Sequence, residues 1–350
     1  MVEPMNEMDT ARLDAFVRQH VPGLQGPMRL ARIGGGQSNP TWFVSFDNRE
    51  LVLRMQPPGT LLPGAHAVDR EARVMRALAG TELPVPEVLV FHGASDVVGT
   101  PFYIMGRVPG RVFAQCALPG IDAQERRAIY LAMGNAMSRL HRVDWKSAGL
   151  SDYGRQGGYF SRQIARWSKQ RSGKANSEAD DNIRRLCEWL PAHLPDESET
   201  MLCHGDFRLG NLMFHPDQPR VVAVLDWELS TLGHPLADIA FNCMAWRTLP
   251  SEYGGILGLD LQALGIPTED EYLRHYYRLS GRQNGLTAFH FAFALFRMAV
   301  IFEGIAARAA AGNAVADNAS EVGTLAAAFA RHAMEFVRGE AHVTPFEELT

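Results

Sequence analysis

L-C-H-G-D-F-R-L-G-N-L-M-F-H-P-D-Q-P-R-V-V-A-V-L-D-W-E, residues Leu202–Glu228, is the stretch on which the reading of this chain turns. Met201–Cys203 is a short apolar run, and Asp206 falls in the loop after it. Leu212, Met213 and Phe214 read as a strand. His215, Pro216, Asp217, Gln218 and Pro219 are turn residues. Val221 to Leu225 is a largely β-branched run that ends at Asp226. Loop, strand, turn and strand of this size fold back on themselves. The expectation is that Asp206, Asn211 and Asp226 surround one small volume.

Those residue types suit phosphoryl transfer. An acid must accept the proton of an attacking hydroxyl, and an amide oxygen with a second carboxylate must hold Mg2+ against nucleotide phosphates. Protein kinases place the base and the metal-binding Asn at the same interval, in H-R-D-x-x-x-x-N. Here the string is His204-Gly205-Asp206, four residues, then Asn211.

With V-L-D-W-E after it, this string resembles the aminoglycoside phosphotransferase and choline kinase group. More narrowly, the chain is similar to the kinase-like domain associated with acyl-CoA dehydrogenases. Four stretches carry that likeness in order: Gly34–Trp42, Pro57–Glu71, Gly99–Met105 and Leu225–Asp238. The resemblance implies an α+β, bilobal protein kinase-like fold. Its N-terminal part is an antiparallel sheet with one packed helix, and its C-terminal part is larger and mainly helical. The expected division is 1–106 for nucleotide binding and 107–350 for catalysis and the acceptor. ATP and Mg2+ are the implied cofactors, and a functional link to an acyl-CoA dehydrogenase is implied too. The resemblance also suggests that Asp238 braces the catalytic loop through hydrogen bonds.

Bulk properties fit this reading. A chain of 350 residues has room for two domains. A net charge of -5 gives no basic excess for nucleic acid. Cys116, Cys187, Cys203 and Cys243 are scattered without a C-x-x-C, which suits a reducing cytoplasm rather than a disulfide framework or zinc site. Glu3, Glu7 and Asp9 do not fit a signal peptide. The apolar region Leu286–Ile305 is interrupted by His290, Arg297 and Glu303, so it reads as a buried helix and not a membrane span.

In the N-terminal part, Asp9 or Thr10 starts a helix running to about His20. Strands are expected at Met28–Ile33, Trp42–Phe46, Leu51–Met55, Val88–Phe91 and Pro101–Met105, with a helix over His66–Ala79. Gly34, Gly35, Gly36, Gln37, Ser38 and Asn39 form a glycine-containing loop that lets backbone N–H groups approach phosphates. Kinases carry a lysine on the third strand, but the lysines of this chain are Lys146, Lys169 and Lys174. Arg54 stands at that place, and its forked donors suit phosphate. Glu71 is the expected ion-pair partner, the alternative being an exposed helix glutamate. Met105, Gly106, Arg107 and Val108 are the expected hinge, where backbone groups meet the adenine edge.

In the C-terminal part, Asp122 caps a helix to about His141, and further helices are expected at Tyr159–Arg171, Ser177–Leu190, Glu269–Leu279, Ala288–Ala311 and Ala314–Val337. Tyr272, Tyr276, Tyr277, Phe289, Phe293 and Phe296 read as core. Arg155 to Arg185 carries eight basic residues against three acids, either a solvated face or a surface for an anionic substrate. Glu228, two residues beyond Asp226, is placed on the same side of an extended chain, where it either assists the metal or holds a water beside it. Arg208 either neutralises Asp206, contacts the γ-phosphate or makes a structural salt bridge.

Two functions follow. The first is an ATP-dependent phosphotransferase acting on a hydroxyl of a small, anionic molecule, with a hydroxyacyl-CoA as the favoured example. The second is a nucleotide- or acyl-CoA-binding module without turnover, mildly favoured by the missing lysine. No flavin motif is present, and nothing after Asp226 resembles the A-P-E segment of protein kinases.

Overall fold

The structure, a computed structural model, describes residues 8–34, 39–59, 67–170, 178–310 and 325–350. By proximity along the fold it divides into two compact units. The first comprises Met1–Gly110 and Val222–Glu228, and the second Arg111–Val221 and Leu229–Thr350.

The first unit begins with α1 (Thr10–His20), whose N-cap Asp9 accepts from the Arg12 N–H at 2.9 Å. Then come β1 (Arg29–Arg32), β2 (Thr41–Ser45), β3 (Glu50–Met55), α2 (Val68–Leu78), β4 (Val88–His92) and β5 (Phe102–Gly106). The strands form one antiparallel sheet in the order β1-β2-β3-β5-β4. Alternation along β3 decides what each face meets. Leu51, Leu53 and Met55 join Leu13 and Val17 of α1, with Val44, Phe102 and Ile104, in one buried cluster. Arg54 falls between them and points to the other face, where Glu71 of α2 lies. The expected packed helix is therefore α2, and α1 adds a second on the opposite face.

The second unit is mostly helical, with α3 (Ala123–His141), α4 (Tyr159–Gln170) and α5 (Glu178–Ala192) before the central strands. Asp122 caps α3 through the Glu125 N–H. The unit's strands are β6 (Met201–Cys203), β7 (Leu212–Phe214) and β9 (Thr231–Gly233), with β6 antiparallel to β9, while β8 (Val221–Val224) falls but for its first residue in the first unit. Then follow α6 (Pro235–Cys243), α7 (Leu261–Leu264), α8 (Glu269–Ser280) and α9 (Ala288–Ala310), and near the C-terminus the helix Leu325–Val337. Residues 311 and 314–324 of the expected last helices, and the expected helix ends His66, Arg171 and Ser177, lie outside the described residues. The other boundaries fall within one or two residues of expectation, the scatter usual at fraying ends.

Helix α9 is apolar enough over Ala288–Arg308 to cross a membrane by length and composition, but 67% of its most apolar window is buried inside the protein. Its Phe291 stacks on Phe336 at 4.9 Å, and its Phe302 meets Phe329 edge-on at 5.0 Å. The six aromatics expected in the core, Tyr272 through Phe296, are all buried.

Two buried histidines give this unit a pH signature. Burial pushes His234 down to about 4, and burial with neighbouring His234 and Arg282 pushes His290 down to about 3. Both are neutral in the fold and take up protons more readily once unfolded, near their ordinary value of 6.5. Their contribution is thus complete above pH 6.5 and is lost as pH falls toward 4. Urea unfolding should lose on the order of 3 kcal/mol per histidine across that window. His290→Gln, which takes up no proton, should show a shallower decline.

Candidate active site

Asp226 belongs to the first unit, Asp206 and Asn211 to the second. In the first unit the organising group is the Arg54 guanidinium. Its Nε lies 2.8 Å from Glu71 Oε2, and its Nη2 donates to Asp226 Oδ1 at 2.6 Å. The expected ion pair is present, and Glu71 is only 1% exposed, which removes the exposed-glutamate alternative. Burial works against the charge on Arg54, but Glu71, then Tyr103, Asp226 and Glu228, outweigh it and raise its pKa. Glu71 is held from two further sides. Asn39 Nδ2 donates to Oε1 at 2.6 Å, and the Tyr103 hydroxyl donates to Oε2 at 3.1 Å. Tyr103 is opposite Arg54 in the β3–β5 register, so both reach α2 from one face.

Asp226 has φ 61, a left-handed conformation that is costly for a side chain other than glycine. The Val224 N–H donates to the Pro84 carbonyl at 2.9 Å, and Trp227 Nε1 donates to the Val224 carbonyl at 3.0 Å, fixing the chain on both sides. This geometry corrects the placement of Glu228. Trp227–Leu229 is a 3-10 turn, so the two-residue alternation of an extended chain does not apply. Glu228 enters instead through its charge, felt by Arg54.

Gly34 is exposed, and Gly35, Gly36, Gln37 and Ser38 lie outside the described residues. Met105 and Gly106 end β5. The Gly106 N–H donates to the Glu87 carbonyl, and the Arg107 N–H to that of Glu50. The Arg107 guanidinium lies over the Phe43 ring at 4.3 Å and pairs with Glu50 at 3.0 Å, while Val108 is half-buried.

In the second unit the loop after β6 hangs from one carboxylate. Asp238, in the first turn of α6, is buried and accepts the His204 N–H at 2.6 Å and the Gly205 N–H at 2.8 Å. Its other neighbour, His141 Nε2, is 3.5 Å away, and His141 Nδ1 meets the Tyr276 hydroxyl at 2.7 Å. Burial alone would raise the Asp238 pKa, but His141, His204 and the Gly205 N–H outweigh it and hold it below the ordinary 3.8. The brace expected of Asp238 is therefore present. Gly205 has φ 82, and a Cβ there would come within 2.5 Å of the Leu229 carbonyl.

Beyond that pivot Asp206 projects with its side chain 23% exposed. Asn211 Nδ2, in the short turn Leu209–Asn211, donates to both the Asp206 carbonyl and its Oδ2 at 2.8 Å. The amide nitrogen faces Asp206, so the amide oxygen faces away from it. Arg208 Nε stands 3.5 Å from the Asp206 carboxylate. Asn242 Nδ2 donates to the Phe207 carbonyl at 3.0 Å, a further fastening of the loop.

Sequence reading missed Tyr103, Asn242 and the Asn39 contact with Glu71. For Tyr103 a signal existed: strand parity puts it on the face that carries Arg54. The basic lean of the later helices is partly consumed internally. Arg282 pairs with Glu199, Arg184 with Asp181 and Glu188, and Arg297 lies over the Phe241 and Trp167 rings.

Residues 29–277 match the family described as "Phosphotransferase enzyme family". Acyl-CoA dehydrogenase family member 10 of Mus musculus is 44% identical over 319 residues, 90% of this chain and 30% of that protein. Acyl-CoA dehydrogenase family member 11 of Homo sapiens is 39% identical over 322 residues, 89% of this chain and 41% of that protein. The chain thus spans less than half of these relatives. A crystal structure from Ralstonia eutropha, described as an aminoglycoside phosphotransferase, is 43% identical with a TM-score of 0.85, covering 95% of this chain and 98% of that one. Aminoglycoside phosphotransferase APH(4)-Ia, in ternary complex with AMP-PNP and hygromycin B, shares the fold at 19% identity and TM-score 0.59, covering 91% and 98%. The expected α+β, kinase-like fold is the one observed.

Two stability measurements probe the supports of the site. Arg54→Met strands a buried carboxylate and should cost on the order of 3 kcal/mol in chemical denaturation, part of it recovered on adding Glu71→Gln. Asp238→Asn should cost about 2 kcal/mol at neutral pH. Because the Asp238 pKa is depressed in the fold, the difference from wild type should be full above pH 3.8 and close as pH falls below it.

Proposed function

Because the chain belongs to the phosphotransferase enzyme family, we propose that it moves the γ-phosphoryl group of ATP to a hydroxyl of a small molecule. Asp206 takes the hydroxyl proton as the acceptor oxygen bonds to the γ-phosphorus and the bond to the ADP oxygen breaks. The observation that carries this reading is the setting of Asp206. Its carboxylate is oriented by Asn211, on a loop whose two preceding N–H groups are tied to buried Asp238. Proton transfer needs a base held in one geometry, and this is how such a base is held.

Arg54, steadied by Glu71, positions the nucleotide phosphates, together with the backbone of Gly34–Ser38 and Asn39. Met105, Arg107 and Val108 border the adenine. Arg208 serves as the cation next to Asp206. Asn211 and Asp226, with Glu228 assisting, would hold Mg2+. These amide and carboxylate oxygens are the hard donors that ion takes. When bound, the ion neutralises charge on the β- and γ-phosphate oxygens.

The acceptor we favour is anionic, with a hydroxyacyl-CoA as the leading example. The relatives named as acyl-CoA dehydrogenase family members support a link to acyl-CoA chemistry. The missing lysine no longer speaks for a module without turnover, since Arg54 makes the glutamate contact that a lysine would make.

Purified protein with ATP and a panel of hydroxylated metabolites, read by mass for a gain of one phosphoryl group, identifies the acceptor. In single-turnover transfer Asp206→Asn should lose at least about a hundredfold, the usual worth of general-base catalysis. A loss under about tenfold would remove Asp206 from that role.

A further inference from the structure

Next to the Asp206 loop the second unit forms a small recess of about 70 Å³ that opens to solvent. Its lining includes Cys116, Phe241, Met244, Tyr253 and Phe329 along with Arg208 from the Asp206 loop. Arg208 is the one charged side chain among the described residues that line it, and no carboxylate does so.

Tyr253 is the unusual member. Its φ is 62, a conformation that costs a bulky residue energy and persists only where the surroundings hold it. They do so here. The Glu252 and Gly255 N–H groups both donate to the Leu249 carbonyl, at 2.8 and 3.1 Å, and the Leu257 N–H donates to Thr248 at 2.9 Å. The Glu252 carboxylate accepts the Leu249 N–H at 3.0 Å and meets His332 at 2.8 Å and Arg331 at 3.0 Å. A Cβ on Gly255 would lie 1.9 Å from the Thr248 carbonyl, so the turn closes only on glycine.

The result is an aromatic ring held rigidly at the cavity wall. It stands edge-on to Phe302 at 5.3 Å and to Phe329 at 6.4 Å, with the Arg208 guanidinium 6.0 Å from its centre. Yet Tyr253 is 46% exposed, and its loop also exposes Leu249 and Leu257 at 40% each. Exposed apolar groups gathered on one fixed loop beside a cavity mark a surface that is covered in use.

We infer that Tyr253 determines acceptor specificity, its ring forming the wall on which the apolar body of a neutral or anionic acceptor packs. The inference rests on the phosphotransferase reading above. An apolar lining whose one charged side chain, Arg208, is offset by Asp206 3.5 Å away suits the apolar body of such an acceptor and offers a polycation no carboxylate of its own. The left-handed backbone is what aims the ring, and a rigid aromatic loses little freedom on binding.

The test compares wild type, Tyr253→Phe and Tyr253→Ala on ATP with hydroxyacyl thioesters of increasing chain length, with hygromycin B as the polycationic control. Tyr253→Ala should raise the acceptor KM about tenfold, more for longer chains, with kcat and the ATP KM moving less than about twofold. Tyr253→Phe should restore the wild-type KM. An acceptor KM unchanged in the Ala variant, or changed equally at every chain length, overturns the assignment, as does efficient transfer to hygromycin B. Should wild type phosphorylate no acceptor, the phosphotransferase reading fails by itself. Binding of anilinonaphthalene sulfonate, an apolar anion, then decides about Tyr253. Binding weakened about tenfold by Ala and kept by Phe upholds it, and equal binding by all three overturns it.

Discussion

A buried carboxylate that receives two consecutive peptide N–H groups governs the ground around Asp206. His141 first, then His204 and the Gly205 N–H, keep Asp238 ionised against its burial, and the His204 and Gly205 N–H groups would be costly orphans without it. Each side of the exchange therefore needs the other, and the loop has one position. Gly205 supplies the left-handed turn that lets both N–H groups face the same carboxylate, and Leu229 closes the space a side chain would need. Downstream, Asn211 and Asn242 catch the loop by the Asp206 and Phe207 carbonyls. The Asp206 carboxylate is itself held, by Asn211 at 2.8 Å with Arg208 at 3.5 Å.

The first unit solves a different problem, that of burying a charged pair on a sheet. Glu71 is out of solvent, and a carboxylate there is tolerable only with its oxygens occupied. Arg54, Asn39 and Tyr103 occupy them. Two of these come from facing positions of β3 and β5, so the sheet register is itself part of the site. The other face of β3 meets α1 through leucines and a methionine. One strand thereby does two jobs, and its alternation keeps them apart.

What the sequence made legible was local or tied to a spaced motif. Asp9 and Asp122 cap helices through contacts three residues away, and such signals survive any tertiary arrangement. The pairing of Arg54 with Glu71, and the bracing by Asp238, came through likeness to a known family. Tyr103 was not legible, because its role depends on which residue of a distant strand faces Arg54. The extended-chain argument for Glu228 failed for a related reason. The period of an extended chain was carried across Asp226, and nothing in the letters D-W-E announces a positive φ at an aspartate. Tyr253 stands in Tyr-Gly-Gly, a visible turn signal, but a turn signal does not say that the ring is held against a cavity.

The exchange of lysine for arginine at position 54 has a structural logic. An ammonium is a point charge, whereas a guanidinium presents separate nitrogens along a planar fork. Here Nε faces Glu71 while Nη2 bonds Asp226, so one side chain links the helix that carries the first carboxylate to the strained segment that carries the second. A lysine placed there would have to divide one nitrogen between two carboxylates. The fork also lets the cation hold its buried partner through Nε while another nitrogen meets a second carboxylate. Arginine at this place is therefore a substitution that preserves the charge and adds reach, and it needs Asn39 and Tyr103 to share the work of holding Glu71 still.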